Sequence, residues 1–394
     1  MKIKRIIAVF LAFIVVLFLS ACFSGWRGMN EGEGRITINL GNTARAFVNL
    51  DNNEFLKFSH EITLMDSKKV IIKQEKFSGN KVSFNVPADS YTVTIKAYDD
   101  GGLRAYGITP NVNVINGQNK NTQVIMYSAS EVNNMEELSA VFSEMSDISD
   151  TDAAREYYVL IKDTLNAVSD NINTINLRRG KITLIAETDV SIHTPMFNIY
   201  EESILQLGVK GMAGTIELIG SKDTRNPLIK VIGILEMNDG VTLKENLNNE
   251  GNGGAVLVCG MSAFFMHGGI ITGNSAQKGG GVYLDVYGTF KMSGGVISGN
   301  TAAEYGGGVY IEQANFYKEG GGIIYGENSG SNANKAKEEG HAVFADGAGE
   351  EGDIVFMYRN KTLETGDNIS CYLLSPPQME FVGVWENIND NTFP

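Results

Sequence analysis

Residues 292–316 read MSGGVISGNTAAEYGGGVYIEQANF, and this stretch decides the fold. Six glycines stand among apolar residues, which is too loose a composition for an ordinary strand and too apolar for a flexible linker. Similar stretches lie on both sides of it, so the larger unit is a repeat. A repeat period in the twenties predicts a solenoid, in which each unit covers the open face of its neighbour.

The repeat is clearest in three blocks, which read GGAVLVCGMSAFFMHGGIITGN, GGVYLDVYGTFKMSGGVISGN and GGVYIEQANFYKEGGGIIYGEN. The opening glycines of the blocks recur at a constant interval, and so does one phenylalanine. These positions are Gly253, Gly280 and Gly307, and Phe264, Phe290 and Phe316. A weaker upstream copy, GILEMNDGVTLKEN, places Leu235 and Met237 where the later block has Phe290 and Met292. The repeat therefore begins well before it is obvious.

Apolar residues within each block alternate over short segments, as Val282 and Leu284 show, which favours strands over helices. We expect three strands per coil, joined by corners where glycine allows a positive φ and close backbone approach. We also expect the three phenylalanines to stack inside the coil. A ladder of stacked amides is predicted at Asn274, Asn300 and, after a one-residue insertion, Asn328.

These blocks resemble the right-handed parallel β-helix repeats of bacterial surface lipoproteins and, more distantly, the repeats of polymorphic outer-membrane proteins. The motifs GGVY and GG(V/I)I(S/T)GN carry the resemblance. The Phe-x-x-Asn signature of the polymorphic family is missing. No long C-terminal run of alternating strands remains to build an outer-membrane barrel. The resemblance implies an all-β fold with a right-handed parallel β-helix. The length of chain between Tyr157 and Cys371 predicts about seven or eight coils.

The N-terminus has the order of a secretory signal. Lys2, Lys4 and Arg5 precede an apolar run over residues 6–19, which is short for a membrane span. The following Leu-Ser-Ala-Cys resembles a bacterial lipobox, which implies cleavage before Cys22 and acylation of that residue. Several acyl chains anchor a protein firmly, because each buried methylene contributes about 0.8 kcal/mol. The alternative is an uncleaved anchor helix, and both interpretations place the remaining chain outside the cytoplasm.

The charge balance argues against nucleic-acid binding. The formal net charge is −14, and removing residues 1–21 leaves 29 lysines and arginines against 46 acids. An acidic chain without a basic stripe repels phosphate backbones. Apart from Cys22, only Cys259 and Cys371 remain, far apart along the chain and without a spacing signature. We expect two separate, mostly buried thiols rather than a disulfide, and no metal site.

Upstream of the repeats, alternating segments predict about seven short antiparallel strands in a β-sandwich. The segments are RITINL, EITLMD, KVIIKQ, KVSFNV, YTVTIKAY, NVNVI and TQVIMY. The last strands and their turns resemble Ig-like, carboxypeptidase-regulatory-like or transthyretin-like modules of surface proteins. A helix is predicted next, because Leu138, Val141, Phe142 and Met145 share one helical face, and Asn134 with Glu137 forms a capping pair.

Together these patterns predict an all-β chain with one short capping helix, in which a β-sandwich precedes a right-handed parallel β-helix. The helix should cap the first coil, and a segment with paired prolines and Trp385 should cap the last. The predicted segments are a signal peptide at 1–21, a tether at 22–34, the sandwich at 35–127, a helical connector and N-terminal cap at 128–154, the β-helix at 155–370 and a C-terminal cap at 371–394.

A search for chemistry finds little. Asp285 and Glu312 are separated by one repeat period and should be neighbours on adjacent coils. Without a third acid or an arginine in register, a solvated surface pair is favoured over a catalytic one. His267 aligns with Ser293 and Glu319, which does not give a repeated metal ladder. We therefore assign no catalytic, cofactor-binding or metal-ligating residue.

Outward tyrosines on the same coils define a candidate binding strip for sugar rings or a partner protein. Its members are Tyr283, Asp285, Tyr287, Tyr310 and Glu312, with Tyr325 as a further exposed aromatic residue.

The predicted function is that of a lipid-anchored envelope protein, with palmitate among its expected acyl chains, that displays a β-helix for adhesion or ligand binding without catalysis. Its partners would be the membrane, through Cys22, and a carbohydrate or a host or envelope protein, but not nucleic acid. The outer membrane or cell surface is the expected location. Two alternatives stay open, a pectin-lyase-like carbohydrate-active enzyme and a structural envelope component.

Overall fold

The structure is a computed structural model. It describes residues 32–40, 57–146, 156–166, 174–193, 196–222, 225–318, 322–326, 330–338, 340–346, 357–359 and 381–383. The predicted signal peptide, the lipidation site Cys22 and most of the predicted tether lie outside these residues. No helix among them is long and apolar enough to cross a bilayer. The chain divides into two compact units, Met1–Met126 and Tyr127–Pro394.

The described residues of the N-terminal unit form seven strands in two groups. One group is a three-stranded sheet in the order β4-β1-β7, and in the other the strands follow the order β3-β2-β5-β6. The strands are β1 (Glu33–Leu40), β2 (Ser59–Met65), β3 (Ile71–Phe77), β4 (Lys81–Pro87), β5 (Ser90–Asp99), β6 (Gly102–Asn113) and β7 (Asn119–Val124). All pairings in this unit are antiparallel except that of β1 with β7, which is parallel and differs from the prediction.

The core of this unit forms from alternate residues of both groups. Ile36 and Ile38 of β1 are fully buried, as are Ile62 of β2 and Val93 and Ile95 of β5. Strand β6 is longer than predicted. Its first half contains Gly107. A larger residue does not fit at this position, because a Cβ there would lie 2.6 Å from the carbonyl oxygen of Ile125. Glycine weakens a strand pattern in sequence, so this half was missed.

The α-helix of the described residues, α1 (Met135–Ser146), confirms the predicted cap and its starting residues. The backbone N–H of Glu137 donates to Asn134 Oδ1 at 2.9 Å. The Glu137 carboxylate accepts the N–H of Asn133 at 2.7 Å, one residue earlier than in a standard capping box. This hydrogen bond, together with those donated by the side-chain amides of Asn133 and Asn134, stabilises the ionised carboxylate and lowers its pKa.

The other described strands of the second unit form a parallel β-solenoid of about six turns, fewer than the seven or eight predicted. Successive turns add strands to three sheets, and the later turns also add a two-residue strand to a fourth sheet. The sheets are named here the first to fourth in chain order. The first sheet contains β10 (Thr174–Leu177), β13 (Met196–Ile199), β16 (Ile229–Val231), β20 (Val256–Val258), β24 (Val282–Leu284), β28 (Val309–Glu312) and β32 (Val343–Asp346).

The second sheet contains β8 (Tyr127–Val132), β9 (Glu156–Ile161), β11 (Gly180–Ala186), β14 (Ser203–Leu207), β17 (Ile234–Met237), β21 (Ala263–Met266), β25 (Thr289–Met292), β29 (Asn315–Lys318), β33 (Met357–Arg359) and β34 (Phe381–Gly383). The third contains β12 (Val190–His193), β15 (Ile216–Ile219), β18 (Val241–Lys244), β22 (Ile270–Thr272), β26 (Val296–Ser298) and β30 (Ile323–Ile324). The fourth, which was not predicted, has two-residue strands: β19 (Leu247–Asn248), β23 (Ser275–Ala276), β27 (Thr301–Ala302) and β31 (Lys335–Ala336).

The predicted register of the inward residues is confirmed. Leu235, Phe264, Phe290 and Phe316 pair in succession along the second sheet and are fully buried. The rings of Phe264 and Phe290 are stacked, with centroids 4.8 Å apart and planes 4° apart. Phe316 lies 5.3 Å beyond, tilted by 31°. Aromatic side chains therefore fill the coil continuously over three turns.

The amide ladder is also confirmed, with one correction. Its buried members are Asn246, Asn274, Asn300 and Asn334. Backbone N–H groups of the first three donate to the Oδ1 of the next member at 2.9–3.1 Å. The ladder was predicted to end at Asn328, which lies outside the described residues. Asn334 takes that position because the turn before it is longer than the one-residue insertion assumed.

The glycine corners require a shift in the predicted alignment. Gly253, Gly279, Gly306 and Gly340 occupy equivalent places and have φ values of +72°, +63°, +69° and +72°. Gly280 and Gly307 instead match Gly254, where an added Cβ would collide with the carbonyl oxygen of Gly280. The first glycine supplies the left-handed corner, and the second permits close approach of the next coil.

The helix covers the open edge of the solenoid. Among the described strands, β10 is the edge of the first sheet, and α1 packs against it with Leu138, Phe142 and Met145 buried. The Phe142 ring lies 5.7 Å from the ring of Phe197 on the following strand. The predicted C-terminal cap at 371–394, including Trp385, lies outside the described residues except for β34.

Candidate functional site

The candidate strip differs from the prediction at two tyrosines. Tyr283 and Tyr310 point outward from the first sheet, as the alternation indicates, but their exposed fractions are only 5% and 0%. The prediction that these two rings are exposed is wrong. Tyr325 is half-buried, and only Tyr287 is largely exposed, at 60%.

A second layer of aromatic residues covers the two tyrosines. The rings of Tyr283 and Tyr310 are stacked at 5.1 Å, and Phe344 continues the stack 5.3 Å beyond. Tyr305, which lies before the next strand of the first sheet, places its ring 4.6 Å from Phe344. The Lys278 ammonium lies 5.0 Å from the Tyr310 ring centroid. The outer face of the first sheet is therefore a small apolar core rather than a binding surface.

Three acids form a column beside this cluster. Asp285 and Glu312 follow paired strand residues on adjacent coils, as predicted, and Glu312 pairs in turn with Asp346. The Tyr283 hydroxyl donates to the Glu312 carboxylate, and the Tyr310 hydroxyl donates to Asp346 Oδ2 at 2.7 Å. Burial and these carboxylate acceptors raise the pKa of both phenols.

This arrangement decides what the acids can do. Glu312 and Asp346 accept hydrogen bonds from tyrosines of the preceding coil, so they tie neighbouring coils together. Across the described ranges, no group of acids, histidines and cysteines is arranged to hold a metal ion. The third acid was missed because its distance along the chain from Glu312 exceeds the repeat period. The segment GHAVFAD at 340–346 still repeats the Gly-x-x-Val and terminal-acid pattern of the earlier coils.

An exposed corner follows the acids along the coil. Tyr287 lies in the turn between β24 and β25, and Met261 holds the same place one coil earlier with 93% of its surface exposed. Tyr287 has a φ of +64°, a left-handed conformation that is uncommon for an aromatic residue. Its N–H donates to the carbonyl oxygen of Gln313 at 3.0 Å, which holds the turn in place.

The outward face of the second sheet carries a column that sequence reasoning missed. Phe265, Lys291 and Tyr317 pair in register on β21, β25 and β29, and all three are half-buried. His267 lies beside Phe265 with ring centroids 6.5 Å apart, and its Nδ1 is 3.1 Å from Ser293 Oγ. The sequence contains the information needed to predict this column, because each member directly follows one of the periodic, stacked phenylalanines.

Cys259 heads the column of acids, one coil before Asp285. It is a half-buried free thiol, and burial raises its pKa. The thiolate, which is the reactive form, is therefore disfavoured. Cys371 lies outside the described residues.

A cleft of about 590 Å³ lies in the N-terminal unit. It is lined by Lys57, Phe58, Ser59, Lys76, Tyr98, Asp99 and Asp100. His60, beside it on β2, is fully buried with its ring 5.2 Å from that of Phe77. Burial lowers the pKa of His60 to about 4.

The fold and these surfaces define a β-solenoid protein with N-terminal antiparallel sheets. Comparison with known proteins finds no matching family model, curated protein or solved structure.

Proposed function

We propose that this chain is a lipid-anchored protein of the bacterial cell envelope that binds a carbohydrate polymer on its β-solenoid without catalysis. The signal-like N-terminus ending at Cys22 supports the anchor, and the motifs GGVY and GG(V/I)I(S/T)GN support a relation to surface lipoproteins with right-handed β-helices. Adhesion or display at the outer membrane or cell surface is the role that follows.

The column of Phe265, Lys291 and Tyr317 is the observation that carries the binding proposal. These side chains repeat on consecutive strands, which are about 4.8 Å apart in a sheet. Aromatic faces pack against the apolar faces of sugar rings, and an ammonium group donates hydrogen bonds to hydroxyl or carboxylate oxygens. A polymer extended across the strands would meet all three side chains in succession.

The corner of Met261 and Tyr287 extends this surface along the coil. Tyr287 is the member of the predicted strip that offers its ring to a ligand. The half-buried carboxylates of Asp285 and Glu312 add acceptors for sugar hydroxyl groups. In this proposal the buried Tyr283 and Tyr310 do not contact the ligand. Tyr283 positions the Glu312 carboxylate through its hydrogen bond, and Tyr310 stacks on Tyr283.

Binding of the full chain in mild detergent to neutral and acidic polysaccharides tests the proposal, with affinity electrophoresis or calorimetry as the readout. Replacing Phe265 and Tyr317 by alanine should weaken binding about tenfold, since each aromatic contact contributes about 0.5–1.5 kcal/mol. Ile270→Ala, which removes an exposed apolar side chain from the third sheet, is the matched control. No binding to any polymer, or an equal loss in the control, contradicts the proposal.

The same incubations test the enzymatic alternative. Release of reducing or unsaturated ends that disappears in Asp285→Asn would show catalysis and would reject a pure binding role. We expect intact polymer in every case.

The anchor and the location need separate experiments. Metabolic labelling with a palmitate analogue should mark the wild-type chain and not Cys22→Ser. Digestion of the repeat region by protease added to intact cells would support a surface location, whereas protection would contradict it.

A further inference from the structure

Strand β3 is the outer strand of its group in the N-terminal unit. It pairs with β2 on one side, and no described strand pairs with its other side. Most of its side chains are exposed, including Ile71 at 57% and Ile72 at 39%, and the preceding Val70 is 53% exposed. An open edge with exposed apolar residues is a template for pairing with another strand.

The sequence of β3 is self-complementary when it is paired with itself in antiparallel orientation. The strand IIKQEKF has seven residues, with Gln74 at its centre. Pairing about a two-fold axis at Gln74 places Lys73 opposite Glu75 of the second copy, and Glu75 opposite its Lys73. The same register places Ile71 opposite Phe77 and the aliphatic stem of Lys76 over Ile72.

The two neighbouring two-fold registers, with the axis one residue earlier or later, are unfavourable. In a regular antiparallel pair, two directly opposed residues both point their N–H and C=O groups toward the partner strand or both point them away. The two-fold axis of a symmetric pair must therefore pass through a residue and not between two residues. An axis at Lys73 opposes two lysines, and an axis at Glu75 opposes two glutamates. Opposite charges across strands stabilise a pair, and like charges destabilise it.

The strand is already shaped for this register. Lys73 Nζ lies 2.9 Å from Glu75 Oε2 on the same face of the strand. A second copy would turn this pair into a four-membered network of alternating charge, which is stronger than an isolated surface pair. Ile72 has no opposite residue on β2, because the register shifts between Leu64 and Met65. Its side chain therefore lacks a cross-strand neighbour on its own sheet, and it is 39% exposed.

We propose that β3 is a homodimerisation edge, at which two copies of this chain pair antiparallel about Gln74. The proposal does not rest on the proposed carbohydrate site, which lies in the other unit. A dimer would present two solenoids, and linked binding sites raise the apparent affinity for a polymer by avidity.

Site-specific cross-linking tests the geometry. In a chain with Cys259 and Cys371 replaced by serine, Gln74→Cys should form a disulfide-linked dimer under mild oxidation, because residues directly opposed across strands have Cβ atoms about 4.5–5.5 Å apart. Asn121→Cys, an exposed position on β7, is the matched control and should stay uncrosslinked. Equal cross-linking of the two variants, or none in Gln74→Cys, would overturn the proposal.

Charge exchange tests the register. Sedimentation equilibrium of the full chain in density-matched detergent should show dimers that weaken about tenfold in Lys73→Glu and in Glu75→Lys, since each opposes like charges twice. The double variant restores both opposite-charge pairs and should return to within about threefold of wild type. A monomeric wild type, or a dimer that no variant changes, would show that β3 is a protected edge and not an interface.

Discussion

At the scale of the residue, single side chains fix the spacing of the coils. Asn300 shows how this is done, since its Nδ2 donates to the carbonyl oxygen of Ile271 and to Asn334 Oδ1, both at 3.0 Å. Its Oδ1 accepts the N–H of Asn274. A buried polar group left without partners costs about 1–3 kcal/mol. Aspartate lacks the donors and glutamine is longer, so neither would reproduce this corner.

His60 makes a prediction about pH. Its pKa is about 6.5 in the unfolded chain and about 4 in the folded chain, because burial disfavours the charged ring. The unfolded state therefore binds more protons as pH falls. The stability that neutral His60 contributes is present above pH 6.5 and is lost as pH falls toward 4, by roughly 2–3 kcal/mol.

Denaturant unfolding of wild type and His60→Leu at pH 7 and pH 4.5 measures this effect. The difference in unfolding free energy between the two proteins should shift in favour of the variant at the lower pH. His193→Leu, at an exposed position, is the control and should follow wild type at both pH values. A pH dependence shared by His60→Leu and wild type would contradict the prediction.

The sequence indicates which way a side chain points more reliably than whether water reaches it. Alternation correctly placed Tyr283 and Tyr310 on the outward face of their strands. Their burial depends on Tyr305 and Phe344, which cover that face. The alternation of residues within a strand does not predict such contacts from other parts of the chain. Conversely, the half-buried Phe265 was overlooked because its neighbour Phe264 explained the aromatic signal by itself.

At the scale of the element, local sequence patterns predicted those helices and strands that short-range interactions determine. The helix was identified from Asn134, Glu137 and one apolar face, all within a single segment, and the structure confirms each. The fourth sheet could not be identified in this way. Its strands have two residues each, which is too short for any periodicity, and they exist because the amide ladder positions the chain before them.

The helix gives a prediction about the first coil. Replacing Phe142 by alanine should destabilise the protein by about 3 kcal/mol, because the fully buried ring contacts Phe197 and seals the edge at β10. Hydrogen exchange should accelerate first in β10 and β13. Val141→Ala, a half-buried position on the same helix, should change stability by less than about 1 kcal/mol. Unchanged exchange in β10 would exclude a capping role.

At the scale of the whole molecule, the repeat period predicted the solenoid but not its irregularities. The constant spacing of Phe264, Phe290 and Phe316 gave the strand register over three coils, whereas the predicted glycine alignment was shifted by one residue at Gly253. The coil after Ser298 is longer, so the amide ladder resumes at Asn334 and the acid column at Asp346. Insertions in a solenoid are accommodated as loops, and the coil returns to register wherever packing is best. That position depends on contacts between coils, which a single sequence does not display.

Contacts between coils also determine how far the destabilising effect of a substitution should extend along the solenoid. In a solenoid each turn is stabilised by its neighbours, so a defect at one interface should weaken the turns on both sides. Gly280 lies at such an interface, where a Cβ would be 2.5 Å from the carbonyl oxygens of both Gly307 and Thr301. Neither atom can move without displacing a coil. Gly280→Ala should therefore destabilise the solenoid by at least about 3 kcal/mol.

Hydrogen exchange followed by mass spectrometry measures the spread. Protection should fall in β20, β24 and β28 together and remain near wild type in β11 and β14, several turns away. Gly260→Asn is the control, because that corner has open space around it and asparagine tolerates its φ of +52°. Loss of protection confined to the turn at Gly280 would mean that the coils do not stabilise one another, and the solenoid would then be a row of independent turns.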